Sequence, residues 1–229
     1  DQGSTRRFEV VHHPEVFDGV RIRKGQAVAV IRGNARIILA CERVTLNLLQ
    51  RMCGIATETR KYVDAVKGTG AMILDTRKTA PGLRLLDKYA VSCGGGHNHR
   101  MDLADGVLIK NNHISLGGGV AKVLTRALKL RKPGQKIQVE VRSMEELEEA
   151  LAGGADSLLL DNMTPAETRQ AVAFARKRAR KIPIEASGNM TLEKVRKYAQ
   201  TGVNYISVGA LTHSVVAIDL SMRITAEIF

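Results

Sequence analysis

The segment from Asp75 to His113 holds the densest set of chemically capable side chains in the chain: Arg77, Lys78, Arg84, Lys88, His97, His99, Arg100 and Lys110. An arginine fork grips a carboxylate through two parallel hydrogen bonds, and a lysine supplies a point charge suited to phosphate. So many cations in so short a stretch read as an anion-binding pocket rather than a scattered solvated surface. Further on, Glu140 and Asp161 have no cation directly beside them. Carboxylates within a cationic pocket suit a hard divalent ion such as Mg2+, which takes oxygen ligands and is commonly shared with substrate phosphates. The competing reading is that either carboxylate neutralises a pocket Arg or Lys.

Small residues mark another kind of site. Glu185-Ala-Ser-Gly-Asn189 and Ser207-Val-Gly-Ala-Leu-Thr-His213 let backbone N–H groups come close to a phosphate. The run Gly94–Gly96 does not open a strand–helix pair in the dinucleotide-binding manner. It reads instead as a flexible turn presenting His97, His99 and Arg100. No third soft ligand lies near the two histidines, so they are not assigned to a metal.

These residues need elements to position them. Short apolar runs recur at Ala71–Asp75, Val107–Lys110, Ile137–Val141, Ser157–Asp161, Ile182–Ser187 and Tyr205–Val208, with helical stretches between. Ser143 with Glu146, and Thr164 with Glu167, fit capping boxes, the second with Pro165 at the first helical position. Thr191 is a further N-cap and Gly202 a stop. Repeated β/α units imply parallel strands with right-handed crossovers. Six strands whose ends carry Asp75, Lys110, Glu140, Asp161, Ser187 and Gly209 favour a (β/α) barrel, closed or incomplete, with its site at those ends. Ahead of them, residues 1–40 read as β-rich, and Cys41 to Lys67 as a long amphipathic helix broken or bent near Gly54.

Composition narrows the partners. The chain has 229 residues and a net charge of +12, from 35 basic against 23 acidic residues. That balance suits an anionic partner. Four Phe, four Tyr and no Trp leave little for base stacking, so a small phosphorylated and carboxylated substrate is favoured over nucleic acid. The run Arg176–Lys181 reads as a solvated helix end. Three cysteines without metal-like spacing read as reduced residues of a cytoplasmic protein, and no stretch is long and apolar enough to span a membrane.

The motifs TRKTAPGLRLLDKYAV, GGGHNHR, LIKNNHI, VEV, LLLDNM, EASGN and SVGALTH, in this order, resemble those of bacterial quinolinate phosphoribosyltransferases, as does ERVTLNLLQRMCGIATETR before them. The resemblance runs from Phe8 to Phe229. It implies a type II phosphoribosyltransferase that joins quinolinate to phosphoribosyl pyrophosphate with decarboxylation, giving nicotinate mononucleotide for NAD biosynthesis. The implied fold is an open, seven-stranded α/β barrel (69–214), a linking helix (43–68) and a small α/β sandwich domain (1–42 with 215–229). Family members carry a longer N-terminal region, so the sandwich is expected to be truncated. The implied assembly is a homodimer or higher homo-oligomer in which Arg43 reaches into the partner's site.

By the same resemblance, Arg77, His99, Arg100 and Lys110 hold quinolinate, Lys78 and Lys110 also face the phosphoribosyl pyrophosphate, and Thr76 is a substrate-binding residue. Glu140 and Asp161 contact ribose hydroxyls and Mg2+. Ser187, Gly188, Asn189, Gly209, Ala210 and His213 surround the 5′-phosphate, with Asn189 standing where a second glycine is usual. Lys78, Lys110, Glu140 and Asp161 form the implied catalytic set. The alternatives are a paralogue acting on another acceptor such as nicotinate, a remnant that only binds phosphates, and a nucleic-acid module.

Overall fold

The computed structural model describes residues 8–12 and 14–225; the outer parts of the predicted sandwich segments, and His13 within the predicted β-rich region, lie outside them. The chain opens with an antiparallel pair, β1 (Phe8–His12) and β2 (Ala29–Gly33). Val20 and Ile22, read as part of a β-rich region, lie in irregular chain between the two strands.

Helix α1 (Ala35–Val66) begins ahead of the predicted Cys41, where Asn34 Oδ1 accepts from the Arg36 N–H. It continues through Gly54 without interruption. The glycine answers to packing rather than to a break: a Cβ there would collide with the Val216 carbonyl. The irregular segment after residue 214 crosses α1 at this notch and is pinned there, Ile218 N donating to Gln50 O and Gln50 Nε2 to Leu220 O.

Six parallel strands follow: β3 (Met72–Leu74), β4 (Val107–Ile109), β5 (Ile137–Val141), β6 (Ser157–Asp161), β7 (Ile184–Ser187) and β8 (Tyr205–Ser207). Their order is β3-β8-β7-β6-β5-β4, so β3 and β4 end an unclosed sheet. A seventh position survives as a single parallel bridge, Leu74 to His97, on the free side of β3. The expected six strands and open barrel are thus present, with the seventh implied strand reduced to that bridge.

Alternate strand residues divide between two environments. Ile73, Ile109, Ile137, Val139, Val141, Leu158, Leu160, Ile184, Ala186 and Ile206 join one apolar cluster with helix residues such as Leu124, Leu147, Ala171 and Val195. Those last four come from α4 (Val120–Leu130), α5 (Met144–Ala152), α6 (Pro165–Arg178) and α7 (Leu192–Ala199) respectively. The opposite parity (Gln138, Glu140, Leu159, Asp161, Glu185, Ser187 and Ser207) is absent from that cluster and lines the inside of the curled sheet.

The caps follow the local chemistry. Thr164 and Glu167 complete a capping box with Pro165 in the first turn. Ser143 accepts from Glu146 N, but the Glu146 carboxylate turns instead to Arg142 N, leaving half a box. Thr191 caps α7 by position, without a side-chain hydrogen bond.

Candidate active site

The tip of β3 is held by a buried ion pair. Asp75 and Lys88, the latter on α2 (Arg84–Cys93), are both wholly buried, and Lys88 Nζ lies 2.5 Å from Asp75 Oδ1. The same Nζ donates to the His99 carbonyl at 2.9 Å, and His99 N donates to Asp75 Oδ1 at 2.8 Å. Burial pushes the Asp75 carboxyl up from its ordinary range, opposed by the Lys88 ammonium and the His99 N–H. The sequence reading placed Lys88 among the pocket cations and Asp75 among the functional strand ends. Both are instead spent on fixing the His97–Arg100 segment beside β3.

Arg84 is also structural, donating to Thr79 Oγ1, Met101 O and Arg77 O. The glycines before His97 differ from expectation too. A Cβ on Gly94 would lie 2.6 Å from Ala56 O, and one on Gly96 would lie 2.8 Å from side-chain carbons of Thr59 and Val91. The run permits close approach to α1 rather than serving as a flexible turn.

Beyond this frame stand cations outside any ion pair among the described residues: Arg77, Lys78, Arg100 and Lys110. Arg100 donates to Gly106 O, and its pKa is lowered by burial and then by the neighbouring Arg77 charge, with Glu185 opposing. The half-buried Arg77 and Arg100 repel one another, and a dianion bound near both would relieve that repulsion. Both His99 ring nitrogens are engaged: Nδ1 accepts from Arg100 N at 2.7 Å, and Nε2 lies 3.2 Å from Glu185 Oε2.

Lys78 is placed by a second network. Arg51 forms a bidentate pair with the wholly buried Asp87, whose Oδ2 also accepts from Ala80 N, and donates further to Thr212 O. Thr212 Oγ1 donates in turn to the Lys78 carbonyl at 2.9 Å, and Thr76 Oγ1 accepts from Lys78 N. Gly209 precedes the short α8 (Ala210–His213); a Cβ on it would lie 3.2 Å from both Lys78 Cδ and His213 Nε2. Lys78, Gly209, Ala210 and His213 therefore meet over the ends of β3 and β8, where small residues leave backbone open to a phosphate.

The tips of β6 and β7 are knitted together by asparagines. Asn162 N donates to Ser187 O, Asn162 Nδ2 to Asp161 Oδ2, and Asn189 Nδ2 to Asn162 Oδ1. Gly188 sits at φ +106°, and any Cβ there would strike the Asn162 side chain. Asn189 has φ 46°, the left-handed region that glycine fills freely and asparagine tolerates. The asparagine at the position where the resemblance implies a glycine thus adopts a backbone conformation open to glycine.

Glu140 faces the inside of the sheet, and its Oε1 accepts from Asn111 N, the first residue of α3 (Asn111–Gly117). Glu140 and Asp161 each keep an oxygen free of protein hydrogen bonds among the described residues, and neither pairs with a cation. No cluster of three or more His, Cys, Asp or Glu capable of holding a metal occurs among them. Two hard oxygen donors fit an ion that completes its shell with substrate phosphates and water, and would not fit an all-protein cage. Arg43 lies apart: exposed on α1, two turns or about 12 Å along the axis from Arg51.

Sequence reasoning assigned no role to two inward residues, Gln138 and Glu185, or to Asn162 at the tip of β6. The period-2 alternation could have found two of them, since Gln138 and Glu185 lie two residues from Glu140 and Ser187 on the same strands.

Comparison with known proteins agrees with this geometry. Residues 8–53 match the family description "Quinolinate phosphoribosyl transferase, N-terminal domain", and residues 55–223 match its C-terminal domain. A "Probable nicotinate-nucleotide pyrophosphorylase [carboxylating]" of Bacillus subtilis is 46% identical over 91% of this chain and 71% of its own length. The nicotinate-nucleotide pyrophosphorylase [carboxylating] of Mycobacterium leprae is 47% identical over 90% and 72%. The solved nicotinate-nucleotide pyrophosphorylase of Francisella tularensis superposes with a TM-score of 0.87 at 41% identity, covering 95% of this chain and 75% of that one. With both domain descriptions matched end to end, the chain belongs to the quinolinate phosphoribosyltransferase family.

Proposed function

We propose that this chain transfers the phosphoribosyl group of phosphoribosyl pyrophosphate to quinolinate, yielding nicotinate mononucleotide, pyrophosphate and carbon dioxide, a step of de novo NAD biosynthesis. What supports the reading is a set of cations that form no ion pair among the described residues, Arg77, Lys78, Arg100 and Lys110, in segments that follow or border the strand ends bearing Glu140 and Asp161. The paired Arg77 and Arg100 guanidiniums, with Lys110, suit the two carboxylates of quinolinate. A single carboxylate would leave part of that charge unanswered. Lys78 with Gly209, Ala210 and His213 on one side, and Ser187, Gly188 and Asn189 on the other, suit the phosphates.

In this reading the quinolinate nitrogen attacks the anomeric carbon of the ribose as the bond to pyrophosphate breaks. The transition state is oxocarbenium-like, so placement of the ring nitrogen supplies much of the rate. Lys78 and Lys110 neutralise the charge growing on pyrophosphate. The bond between the ring and its 2-carboxylate then breaks, its electron pair is accepted toward the pyridinium nitrogen, and a proton replaces the departing carbon dioxide. No side chain serves as covalent nucleophile. Glu140 and Asp161 would hold Mg2+, which supplies charge neutralisation to the leaving group when bound.

Pyrophosphate release with quinolinate, in Mg2+, tests the whole reading. Release that depends on both is expected, with nicotinate giving little; equal release with nicotinate, or none with quinolinate, overturns it.

The assembly belongs to the same proposal. Exposed apolar residues on β2 and the first half of α1, namely Val30, Leu39, Val44 and Leu49, together with Arg43, which forms no ion pair among the described residues, favour a homodimer in which Arg43 completes the partner's site. Mixing an Arg43→Ala protein with a Lys110→Ala protein should restore activity that neither has alone. The free thiols of Cys41, Cys53 and Cys93 favour a reducing, cytoplasmic setting. No helix among the described residues is long and apolar enough to cross a membrane.

A further inference from the structure

Glu185 is a buried carboxylate that the reaction as described does not use. It lies on β7, only 2% exposed, on the inward parity of the sheet. Its Oε2 accepts from Gln138 Nε2 at 2.8 Å and lies 3.2 Å from His99 Nε2. Its Oε1 is buried with no hydrogen-bond partner among the described residues. A fold rarely keeps an orphaned buried carboxylate oxygen when Leu, Ile or Ala would fill the space, because the desolvation goes uncompensated. Retention at such a cost points to a task.

The task is legible in what its other oxygen holds. His99 Nδ1 accepts the Arg100 backbone N–H, so that nitrogen carries the lone pair and the ring proton sits on Nε2, facing Glu185. The hydrogen bonds then run in one direction: Arg100 N–H to the His99 ring, His99 Nε2–H to Glu185, with Gln138 donating from the other side. Resting on the quinolinate reading above, we infer that Glu185 is a positioning residue for the acceptor site, fixing the ring tautomer of His99 and through it the backbone from which the Arg100 guanidinium projects. Glu185 does this from a strand distant in sequence, across the inside of the sheet.

Two measurements decide the matter. Ring 15N shifts of His99 in the wild-type protein should show the Nε2–H tautomer; an Nδ1–H tautomer overturns the inference without touching the proposed reaction. In steady-state kinetics, Glu185→Leu should raise the quinolinate KM about tenfold, while the phosphoribosyl pyrophosphate KM changes less than about threefold. Glu185→Gln should recover most of that loss, because its amide oxygen still accepts from His99 and Gln138 can reverse its own amide. In a His99→Ala background, Glu185→Leu should add nothing further to the quinolinate KM. Equal shifts in both KM values, or additive effects in the double variant, would show that Glu185 only maintains the fold. The tautomer measurement needs no variant, so it stands even if Glu185→Leu fails to fold. Absence of any quinolinate-dependent turnover by the wild type would defeat the reaction and not the tautomer.

Discussion

The two faces of the parallel sheet carry opposite chemistry on the same strands. On β5, Ile137, Val139 and Val141 are fully buried against α4 and α5, while Gln138 and Glu140 between them stay partly open. On β7, Ile184 and Ala186 face the helices, and Glu185 and Ser187 face inward. The helix face is aliphatic and satisfied within itself. The inner face is mostly polar, and Glu140, Asp161 and Glu185 each keep an oxygen without a protein hydrogen bond among the described residues. Stability and chemistry are thus separated by parity, one residue apart, and substitutions should separate them as well.

The sharpest challenge to that division is Lys88, a charged residue with a structural task. Lys88→Met leaves Asp75 buried and unpaired and should cost about 3–5 kcal/mol in chemical denaturation. On the helix face, Leu158→Ala should cost about 2–5 kcal/mol by the same measurement, while the folded fraction keeps its kcat/KM for quinolinate. On the inner side the pattern should invert. Arg100→Ala should raise the quinolinate KM about 10- to 100-fold with the melting temperature nearly unchanged. Unaltered quinolinate kinetics in that variant would remove Arg100 from the acceptor site. Away from both faces, Thr164→Ala removes the α6 cap and should cost about 1 kcal/mol with no kinetic effect. The smallest change should come from Asn189→Gly, which keeps the left-handed turn and alters the phosphoribosyl pyrophosphate KM by less than about twofold.

Much of the frame was legible in the sequence because burial in a parallel sheet writes itself as short apolar runs. Residues Ile137–Val141 and Ser157–Asp161 were bounded as they stand, and the other four runs within two residues at either end. The cap at Thr164 was legible too, since its signals are local. What escaped is non-local. Nothing in the order of residues says that Lys88 turns inward to Asp75, or that Gln138 on β5 and His99 in the irregular segment after α2 converge on Glu185. Gly54 and Gly94–Gly96 were read through backbone freedom, yet their role depends on a neighbour's approach, by the tail at one and by α1 meeting α2 at the other. The early start of α1 was missed because Ala35–Leu39 continues the apolar run of β2, and only Asn34 marks the change.

The unclosed sheet has a mechanical consequence. Arg77, His99 and Arg100 stand at one margin and Lys110 at the other, and no strand ladder joins the two. Across that seam the Arg100 guanidinium reaches the Gly106 carbonyl just ahead of β4. An acceptor gripped from both margins acts as a clasp, tying together parts of the wall that the backbone leaves separate. Amide exchange along Val107–Ile109 should slow when quinolinate binds, by more than it does in β6, which is laddered on both sides already.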